Sequence, residues 1–446
     1  MKRTWIYNAK IVNEGKCFQG SVTIENDKIS NVYKGNTAPE ASYDCKIDAK
    51  SCYLLPGIID DHVHFRDPGL THKADITTES AAAAAGGVTS FMDMPNCIPQ
   101  TTTLETLENK FVNAASKSIV NYSFYFGATN NNTDLLKHLD NKKVCGIKVF
   151  MGASTGNMLV DRIDSLKKIF SSANMLIATH CEDQNIIREN TEFFKQKYGD
   201  DPDIFYHSHI RSEEACWQSS ALAVRLAKET DARLHVLHIS TARELQLFEN
   251  KPLNEKRITA EACISHLMFC EDDYQTLGSR IKCNPSIKTR KDRDILREAL
   301  TSNCIDVIGT DHAPHLLEEK RGGALKAVSG MPSVQFSLVC MMELAREGII
   351  TMPQLVQKMC HAPAELFQIH KRGYIRPGYK ADLVLVSPET PWTVTKDCIQ
   401  SKCQWSPMEG KCFHSKVKKT FVNGNLVYDE GIVDYDNRGE MLVFER

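Results

Sequence analysis

Histidine and aspartate side chains stand at the ends of several apolar segments of this 446-residue chain, where they could hold metal ions. His62 and His64 are two residues apart, and because alternate residues of a strand face the same side, both imidazoles can bind one ion. His180, His238 and Asp311 follow three later apolar segments. Each residue alone is a weak signal, since a histidine at a strand end is more often structural. Together they predict a metal site.

The ligand types suggest which metal the site would take. Nitrogen and oxygen ligands without thiolates suit zinc, with manganese or cobalt as substitutes. Lys148 lies within a further apolar segment, where an ammonium group is costly unless it is paired. Either its head reaches solvent, or its amine has reacted with carbon dioxide to give a carbamate that bridges two ions. We predict one or two Zn²⁺ per chain, with a binuclear site bridged by carboxylated Lys148 favoured.

A second His-x-His motif, His207-Ser-His209, lies outside these segment ends. With 15 histidines in the chain, one such pair by coincidence is not surprising. We therefore expect this motif to be a chance match.

The segments between these residues predict the fold that brings them together. Apolar runs predict eight strands, at 54–59, 88–92, 122–126, 145–150, 175–179, 234–238, 258–263 and 305–309. Amphipathic helices are predicted between them, for example at 104–116, 162–170, 213–228 and 292–299. This alternation favours an α/β fold, a (β/α)8 TIM-type barrel with its chemistry at the carboxyl ends of the strands. A doubly wound sheet is the alternative, but no Gly-x-Gly-x-x-Gly follows the first strand.

Both ends of the chain show short strands separated by Asn, Gly and Asp. A lone small sheet is marginally stable and chain termini often lie close together, so we expect the two ends to form one unit. The predicted domains are a composite β domain, a small β-sandwich of antiparallel strands from residues 1–55 plus 370–446, and a barrel of residues 56–369.

Composition limits the partners. The 54 Lys and Arg against 56 Asp and Glu give a net charge of -2, so no basic field favours nucleic acid or an anionic membrane. No run reaches the roughly 18 apolar residues that span a bilayer, and no signal peptide is indicated. The 16 scattered cysteines, without a Cys-x-x-Cys pair, favour reduced thiols and a cytoplasmic location. We expect a small-molecule substrate, and a homodimer or higher homo-oligomer remains open.

Three motifs of the chain resemble those of the amidohydrolase superfamily. They are PGIIDDHVH at 56–64, GTDHAPH at 309–315 and IRPGYKADLV at 375–384. Within the superfamily, four further segments resemble the dihydroorotase family, namely HFRDPG at 64–69, MPN at 94–96, the segment 284–292 and SPMEG at 406–410. The resemblance covers nearly the whole chain and implies a metal-dependent cyclic amide hydrolase.

The resemblance also implies roles for individual residues. It implies one ion on His62, His64 and Asp311, a second on His180 and His238, and a bridge of carboxylated Lys148. A hydroxide held by the metals would attack the ring amide of dihydroorotate, with Asp311 as the catalytic proton shuttle. The reverse reaction would cyclise N-carbamoyl-L-aspartate in pyrimidine biosynthesis. The residues expected to orient the substrate are Arg66, Asn96, Asn284, His315, Ser329 and Gly330.

The chemistry of dihydroorotate supports one of these roles independently. Its carboxylate needs a planar, two-pronged cation, which Arg66 supplies. The alternative for Arg66 is a salt bridge with its neighbour Asp67.

Several alternatives stay open at this point. One dihydroorotase branch has Asp as the bridging ligand, so the presence of Lys148 leaves one or two metals possible. The segment 261–266 keeps only His266 and receives no catalytic role. Residues 152–156 are a candidate lid. The competing functions are an allantoinase- or hydantoinase-type cyclic amide hydrolase and a non-catalytic scaffold on the same fold.

Overall fold

The amino-terminal strands belong to one sheet of the computed structural model, which describes residues 2–35, 41–152 and 158–446. They are β1 (Arg3–Asn13), β2 (Lys16–Glu25), β3 (Lys28–Lys34), β4 (Cys45–Asp48) and β5 (Tyr53–Pro56). β1, β2 and β3 pair antiparallel, whereas β4 and β5 run parallel to β1. The prediction of a purely antiparallel arrangement was therefore wrong, because the chain returns to the start of β1 before it forms β4.

The next eight strands form the barrel. They are β6 (Ile58–Val63), β7 (Val88–Asp93), β8 (Asn121–Gly127), β9 (Gly146–Phe150), β10 (Ile177–His180), β11 (Leu234–Val236), β12 (Ile258–Cys263) and β13 (Val307–Gly309). They pair in chain order and in parallel. The backbone N–H of His64 donates to the carbonyl of His312 at 2.7 Å, which joins the two edges. The predicted TIM-type barrel is confirmed.

Helices follow most barrel strands. They are α1 (Ile76–Ala85), α2 (Leu104–Lys117), α3 (Ile163–Ser172), α4 (Gln184–Tyr198), α5 (His207–Ile210), α6 (Glu213–Thr230), α7 (Ile264–Met268), α8 (Tyr274–Leu277), α9 (Arg290–Ala299), α10 (Ser337–Arg346), α11 (Met352–Val356) and α12 (Ala362–Phe367). Threonine hydroxyls cap two of the predicted helices. Thr103 accepts from the N–H of Thr106 at 3.2 Å before α2, which begins at the predicted residue 104. Thr289 accepts from the N–H of Asp292 at 3.1 Å before α9, which begins two residues earlier than predicted. In the described part of the chain, no helix has the length and apolar character to cross a membrane.

The carboxy-terminal strands return to the first sheet. They are β14 (Leu383–Ser387), β15 (Trp392–Thr393), β16 (Cys412–Phe413), β17 (Lys416–Val422), β18 (Asn425–Asp429) and β19 (Ile432–Val433). β14 pairs antiparallel with β5 and with β17, which joins both ends of the chain in one nine-stranded sheet. β15 and β16 form a separate two-stranded ribbon. A β domain built from both termini is thus confirmed, while its exact limits stay a prediction.

The first barrel strand departs from its predicted position. The apolar run 54–59 contains the end of β5, Gly57 and the start of β6, so it crosses from the β domain into the barrel. Gly57 is required there, because a Cβ atom would lie 2.1 Å from Oγ1 of Thr89. β6 then continues through polar residues such as Asp60, which an apolar pattern cannot detect. His62 consequently lies inside the strand and not after it.

Candidate active site

Three predicted metal ligands converge at the carboxyl end of the barrel. His62 lies in β6, His64 follows that strand, and Asp311 follows β13. The Nε2 atoms of His62 and His64 lie 3.2 and 3.0 Å from one oxygen, Oδ1 of Asp311. Asp311 has a φ of 48°, a left-handed conformation that costs about 1–3 kcal/mol and clusters at functional sites. The three donor atoms are close enough together to hold one ion.

Buried neighbours determine which nitrogen of each imidazole faces this cluster. Nδ1 of His62 lies 3.1 Å from both carboxylate oxygens of Glu261, and Nδ1 of His64 lies 2.7 Å from Oδ1 of Asn96. Because these oxygens accept hydrogen bonds, both Nδ1 atoms donate to them, and both Nε2 atoms face Oδ1 of Asp311. Two ring nitrogens and a carboxylate oxygen that converge on one point fit a cation, and the outer partners are typical of metal-binding histidines.

The other two predicted histidines face each other beside this cluster. His180 ends β10 and His238 follows β11, with Nδ1 of His180 at 2.9 Å from Nε2 of His238. Nε2 of His180 lies 2.8 Å from Glu182, which also pairs with Arg211. The ring centres of His238 and His62 are 5.2 Å apart, so the four imidazoles are contiguous. Nδ1 of His238 is buried and has no hydrogen-bond partner among the described residues, which also fits a site for a cation.

Lys148 joins these residues from β9. It is 1% exposed, and its Nζ lies 4.7 Å from the ring centre of Phe150. The interpretation of Lys148 as a lysine that reaches solvent was therefore wrong. Burial lowers the pKa of its amine to about 8 against the opposing pull of Asp311, so a larger fraction is neutral than in a surface lysine. The neutral amine is the form that can react with carbon dioxide.

A second network of acidic residues lies within the barrel, and its carboxylates are contacted by side chains of the same network. Burial and the charge of Glu261 raise the pKa of Cys263 well above its ordinary value, so the thiol stays protonated and donates to Glu261 at 2.6 Å. Nε2 of His235 lies 3.1 Å from Oδ2 of Asp61. Because no thiolate is available here, the ligand set of the cluster consists of nitrogen and oxygen, a set that suits zinc and other divalent metals.

Arg66, the predicted carboxylate binder, lines the same cavity. It is 8% exposed and has a φ of 66°, a second left-handed residue in the site. Its Nε donates to the carbonyl of Pro314 at 3.1 Å, and its Nη2 lies 2.9 Å from Nε2 of His315. Nδ1 of His315 in turn lies 3.1 Å from Nζ of Lys73. Lys73 is paired with Glu319 at 2.6 Å, so the charge of this group that faces the cavity without a carboxylate partner is that of Arg66.

Asp67 does not neutralise Arg66. Its carboxylate accepts hydrogen bonds from Nζ of Lys117 and Nδ2 of Asn113, both at 2.8 Å. The interpretation of Arg66 as a salt-bridge partner of Asp67 was therefore wrong. Arg66 has no carboxylate partner in residues 2–35, 41–152 and 158–446, the part that the structure describes.

The remaining predicted substrate residues line the same cavity. Oδ1 of Asn284 is buried and has no hydrogen-bond partner among the described residues. The backbone N–H of Gly330 donates to the carbonyl of Lys282 at 2.8 Å, and its carbonyl accepts from Nζ of Lys320 at 2.7 Å. Gly330 has a φ of 128°, which only glycine adopts readily. Its backbone groups are thus already engaged, whereas Ser329 lines the cavity beside it.

One cavity of about 620 Å³ contains all of these groups. All twelve predicted site residues line it, namely His62, His64, Arg66, Asn96, Lys148, His180, His238, Asn284, Asp311, His315, Ser329 and Gly330. The candidate lid, except for Gly152, lies outside the described residues.

Sequence reasoning missed the residues that hold these groups in place. Glu261 lies in the middle of β12 and Glu182 two residues after the end of β10, so neither stands directly at the end of an apolar segment. An ionisable residue within a fully buried strand is itself a signal, because burial requires a partner. Lys320 gave no signal, since its three acceptors are backbone carbonyls of a loop.

Comparison with known proteins identifies the family of this chain. A family model described as "Amidohydrolase family" matches residues 53–427. The match includes the barrel and most of the carboxy-terminal strands of the β domain.

Individual relatives are similar over nearly their whole length. A dihydroorotase from Methanosphaera stadtmanae is 30% identical over 419 residues, which cover 94% of this chain and 95% of that protein. An allantoinase from Bacillus velezensis is 30% identical over 434 residues, with 96% and 94% covered. The solved structure of an L-hydantoinase (dihydropyrimidinase) from Arthrobacter aurescens has a TM-score of 0.92 at 25% identity, with 97% and 98% covered. The architecture is shared, but the named substrates differ.

Proposed function

The chain belongs to the amidohydrolase family and is a cyclic amide hydrolase, and we propose that within this family it is a dihydroorotase. The reaction would be the reversible hydrolysis of the ring amide of dihydroorotate to N-carbamoyl-L-aspartate. In the cyclising direction it releases water and closes the dihydropyrimidine ring for pyrimidine biosynthesis.

The unpaired guanidinium of Arg66 is the observation that carries this proposal. Its charge is buried in the cavity wall while Asp67 is held by Lys117, so an anion from outside the chain is the missing partner. Dihydroorotate has a carboxylate beside its ring and can fill this position. A neutral ring such as hydantoin or dihydrouracil offers no charge to Arg66.

The donor atoms of the site fit divalent metal ions, and we propose zinc. His62, His64 and Asp311 would hold one ion, and His180 and His238 a second. The amine of Lys148 would add to carbon dioxide and release a proton, and the resulting carbamate would supply two oxygen ligands between them. When bound, such ions polarise an amide carbonyl and lower the pKa of water to about 7.

Asp311 would move the proton that ring opening requires. Burial raises the pKa of its carboxyl group, but the imidazoles of His62 and His64 outweigh this and hold the pKa below its usual range. The carboxylate is therefore ionised, accepts a proton from the attacking water and passes it to the leaving amide nitrogen.

Arg66 and His315 would hold the substrate carboxylate at the other side of the cavity. Nδ2 of Asn96 adds N–H donors, since its Oδ1 is engaged by His64. The ring amide would thereby be directed towards Asp311, and such orientation is itself a large part of catalysis.

Substitution of Arg66 tests the proposal. We expect Arg66→Met to lower kcat/KM for dihydroorotate by about 100-fold, because a buried hydrogen-bonded charge pair is lost. The control substrate is dihydrouracil, the same ring without the carboxylate, on which any activity should be unaffected. Equal losses on both rings would contradict carboxylate recognition by Arg66.

Substrate assays and metal analysis of the purified protein distinguish two other functions. An allantoinase- or hydantoinase-type enzyme would turn over its own ring and not dihydroorotate. A non-catalytic scaffold would turn over none of these rings and would contain no metal by elemental analysis. Cytoplasmic location and a homo-oligomeric state stay predictions.

A further inference from the structure

The second His-x-His motif places its two histidines in different environments. His207 is 2% exposed and lines the same cavity as His62 and Asp311. His209 is exposed, and its Nδ1 lies 3.2 Å from the hydroxyl of Ser208. Only the first histidine of the motif can therefore contact a molecule in the cavity.

The protonation state of His207 follows from its contacts. Its Nε2 lies 2.9 Å from the carbonyl oxygen of Cys283, and since a carbonyl only accepts, Nε2 carries the proton. Burial and the nearby charges of Lys282 and Arg211 hold the pKa of His207 well below its ordinary value, so the ring is neutral. Nδ1 is consequently a lone-pair acceptor, and this buried atom has no hydrogen-bond partner among the described residues.

A second unused acceptor lies next to the residue that anchors His207. Asn284 follows Cys283 in the chain, lines the cavity, and has a buried Oδ1 without a hydrogen-bond partner in the described part of the chain. Buried acceptors in native proteins are rarely left without a donor. This wall of the cavity is thus complementary to a ligand with N–H groups, whereas Arg66 serves an anion.

We propose that Nδ1 of His207 accepts a hydrogen bond from a substrate N–H and that His207 determines specificity for a ureide ring. The inference rests on the proposed function and extends it. Dihydroorotate has two ring N–H groups, and the scissile one must lie at Asp311 to be protonated. His207, anchored on Cys283, accepts from the other, the N–H beside the carboxylate-bearing carbon.

The experiment compares His207→Gln with the matched control His209→Gln. Glutamine retains an amide N–H for the carbonyl of Cys283 but places no acceptor at the Nδ1 position. Each purified enzyme is assayed with dihydroorotate and with its analogue methylated on the non-scissile ring nitrogen. For H207Q we expect KM for dihydroorotate to rise about five- to tenfold with a smaller change in kcat, while H209Q stays at the wild-type values.

The methylated analogue separates recognition from structure. In the wild type, methylation should lower kcat/KM about tenfold or more, and in H207Q this penalty should largely disappear. The same penalty in both enzymes would overturn the role of His207. If H207Q fails to fold by circular dichroism, His207→Leu replaces it, because leucine also removes the acceptor at Nδ1. Loss of the methylation penalty in H207L then supports the proposal, and an unchanged penalty overturns it. A wild-type enzyme inactive on dihydroorotate would instead refute the proposed function, and this inference with it.

Discussion

The two sides of the cavity differ in the charge of the groups that contact their ionisable side chains. On the metal side, defined by the six predicted metal ligands, buried carboxylates contact imidazoles, as Glu261 contacts His62 and Glu182 contacts His180. The substrate side is defined by the predicted substrate-binding residues and the lysine that contacts Gly330, Lys320. There Arg66 and Lys320 contact neutral groups, and Lys320 donates to three backbone carbonyls. One side is thus prepared for cations and the other for an anion.

This difference teaches why the overall charge of -2 says little about the ligand. The charges that matter are separated within one cavity and cancel in the total. Asn96 links the two sides, because one end of its amide orients His64 and the other remains a donor.

The largest effect is expected on the metal side, at Asp311. Asp311→Asn keeps an oxygen but cannot carry the proton, so kcat should fall about 100- to 10,000-fold. Steady-state kinetics and metal content per chain are measured together. Activity near the wild-type rate with metal retained would show that Asp311 is a ligand and not the shuttle.

Glu261→Gln tests whether the outer carboxylate prepares the metal side. The variant removes the negative charge that holds Nδ1 of His62, so metal affinity should fall about 10- to 100-fold, as measured by titration of the metal-free protein. Glu319→Gln is the matched control, because Glu319 pairs with Lys73 on the substrate side. Equal affinity in E261Q and the wild type would mean that Glu261 has only a packing role.

The metal side was also the more predictable from sequence. His62, His64 and Asp311 stand in or beside apolar strands, and parallel strands bring their carboxyl ends together in any barrel. The helices at 104–116 and 213–228 were likewise evident, since amphipathic periodicity is local. The contact of His62 with Glu261 joins residues 199 positions apart and has no local pattern.

The substrate side was less predictable, because loops form much of it. Arg66 was identified by the chemistry of a carboxylate, but its freedom from Asp67 depends on where α2 places Lys117. In sequence, a lysine that donates to loop carbonyls, as Lys320 does, resembles any surface lysine. Its role is visible only when the loop conformation is known.

Lys320→Met tests how much the hydrogen bonds of Lys320 stabilise the loops on the substrate side. The change leaves the carbonyls of Val328 and Gly330 without a donor, while the carbonyl of Lys282 keeps the N–H of Gly330. Each unsatisfied group costs about 1–3 kcal/mol unless water replaces it. We expect the free energy of unfolding to fall by about 3 kcal/mol. KM should rise severalfold with metal content unchanged.

Denaturant titration and steady-state kinetics measure both effects of Lys320→Met. Lys326→Met, an exposed position in the same loop, is the control and should alter neither. A loss of bound metal in K320M would show that the two sides are coupled.

The smallest effect is expected at Lys117, just outside the cavity. Lys117→Met removes the partner of Oδ2 of Asp67, a pair in which the lysine side chain is 36% exposed. Such pairs contribute about 0–1 kcal/mol, and Asn113 still holds the other oxygen, so KM for dihydroorotate should change less than about threefold. If Asp67 instead turned to Arg66, KM would rise nearly as much as in Arg66→Met. That result would show that Lys117 keeps Arg66 unpaired, and the substrate side would then extend to the outer surface of α2.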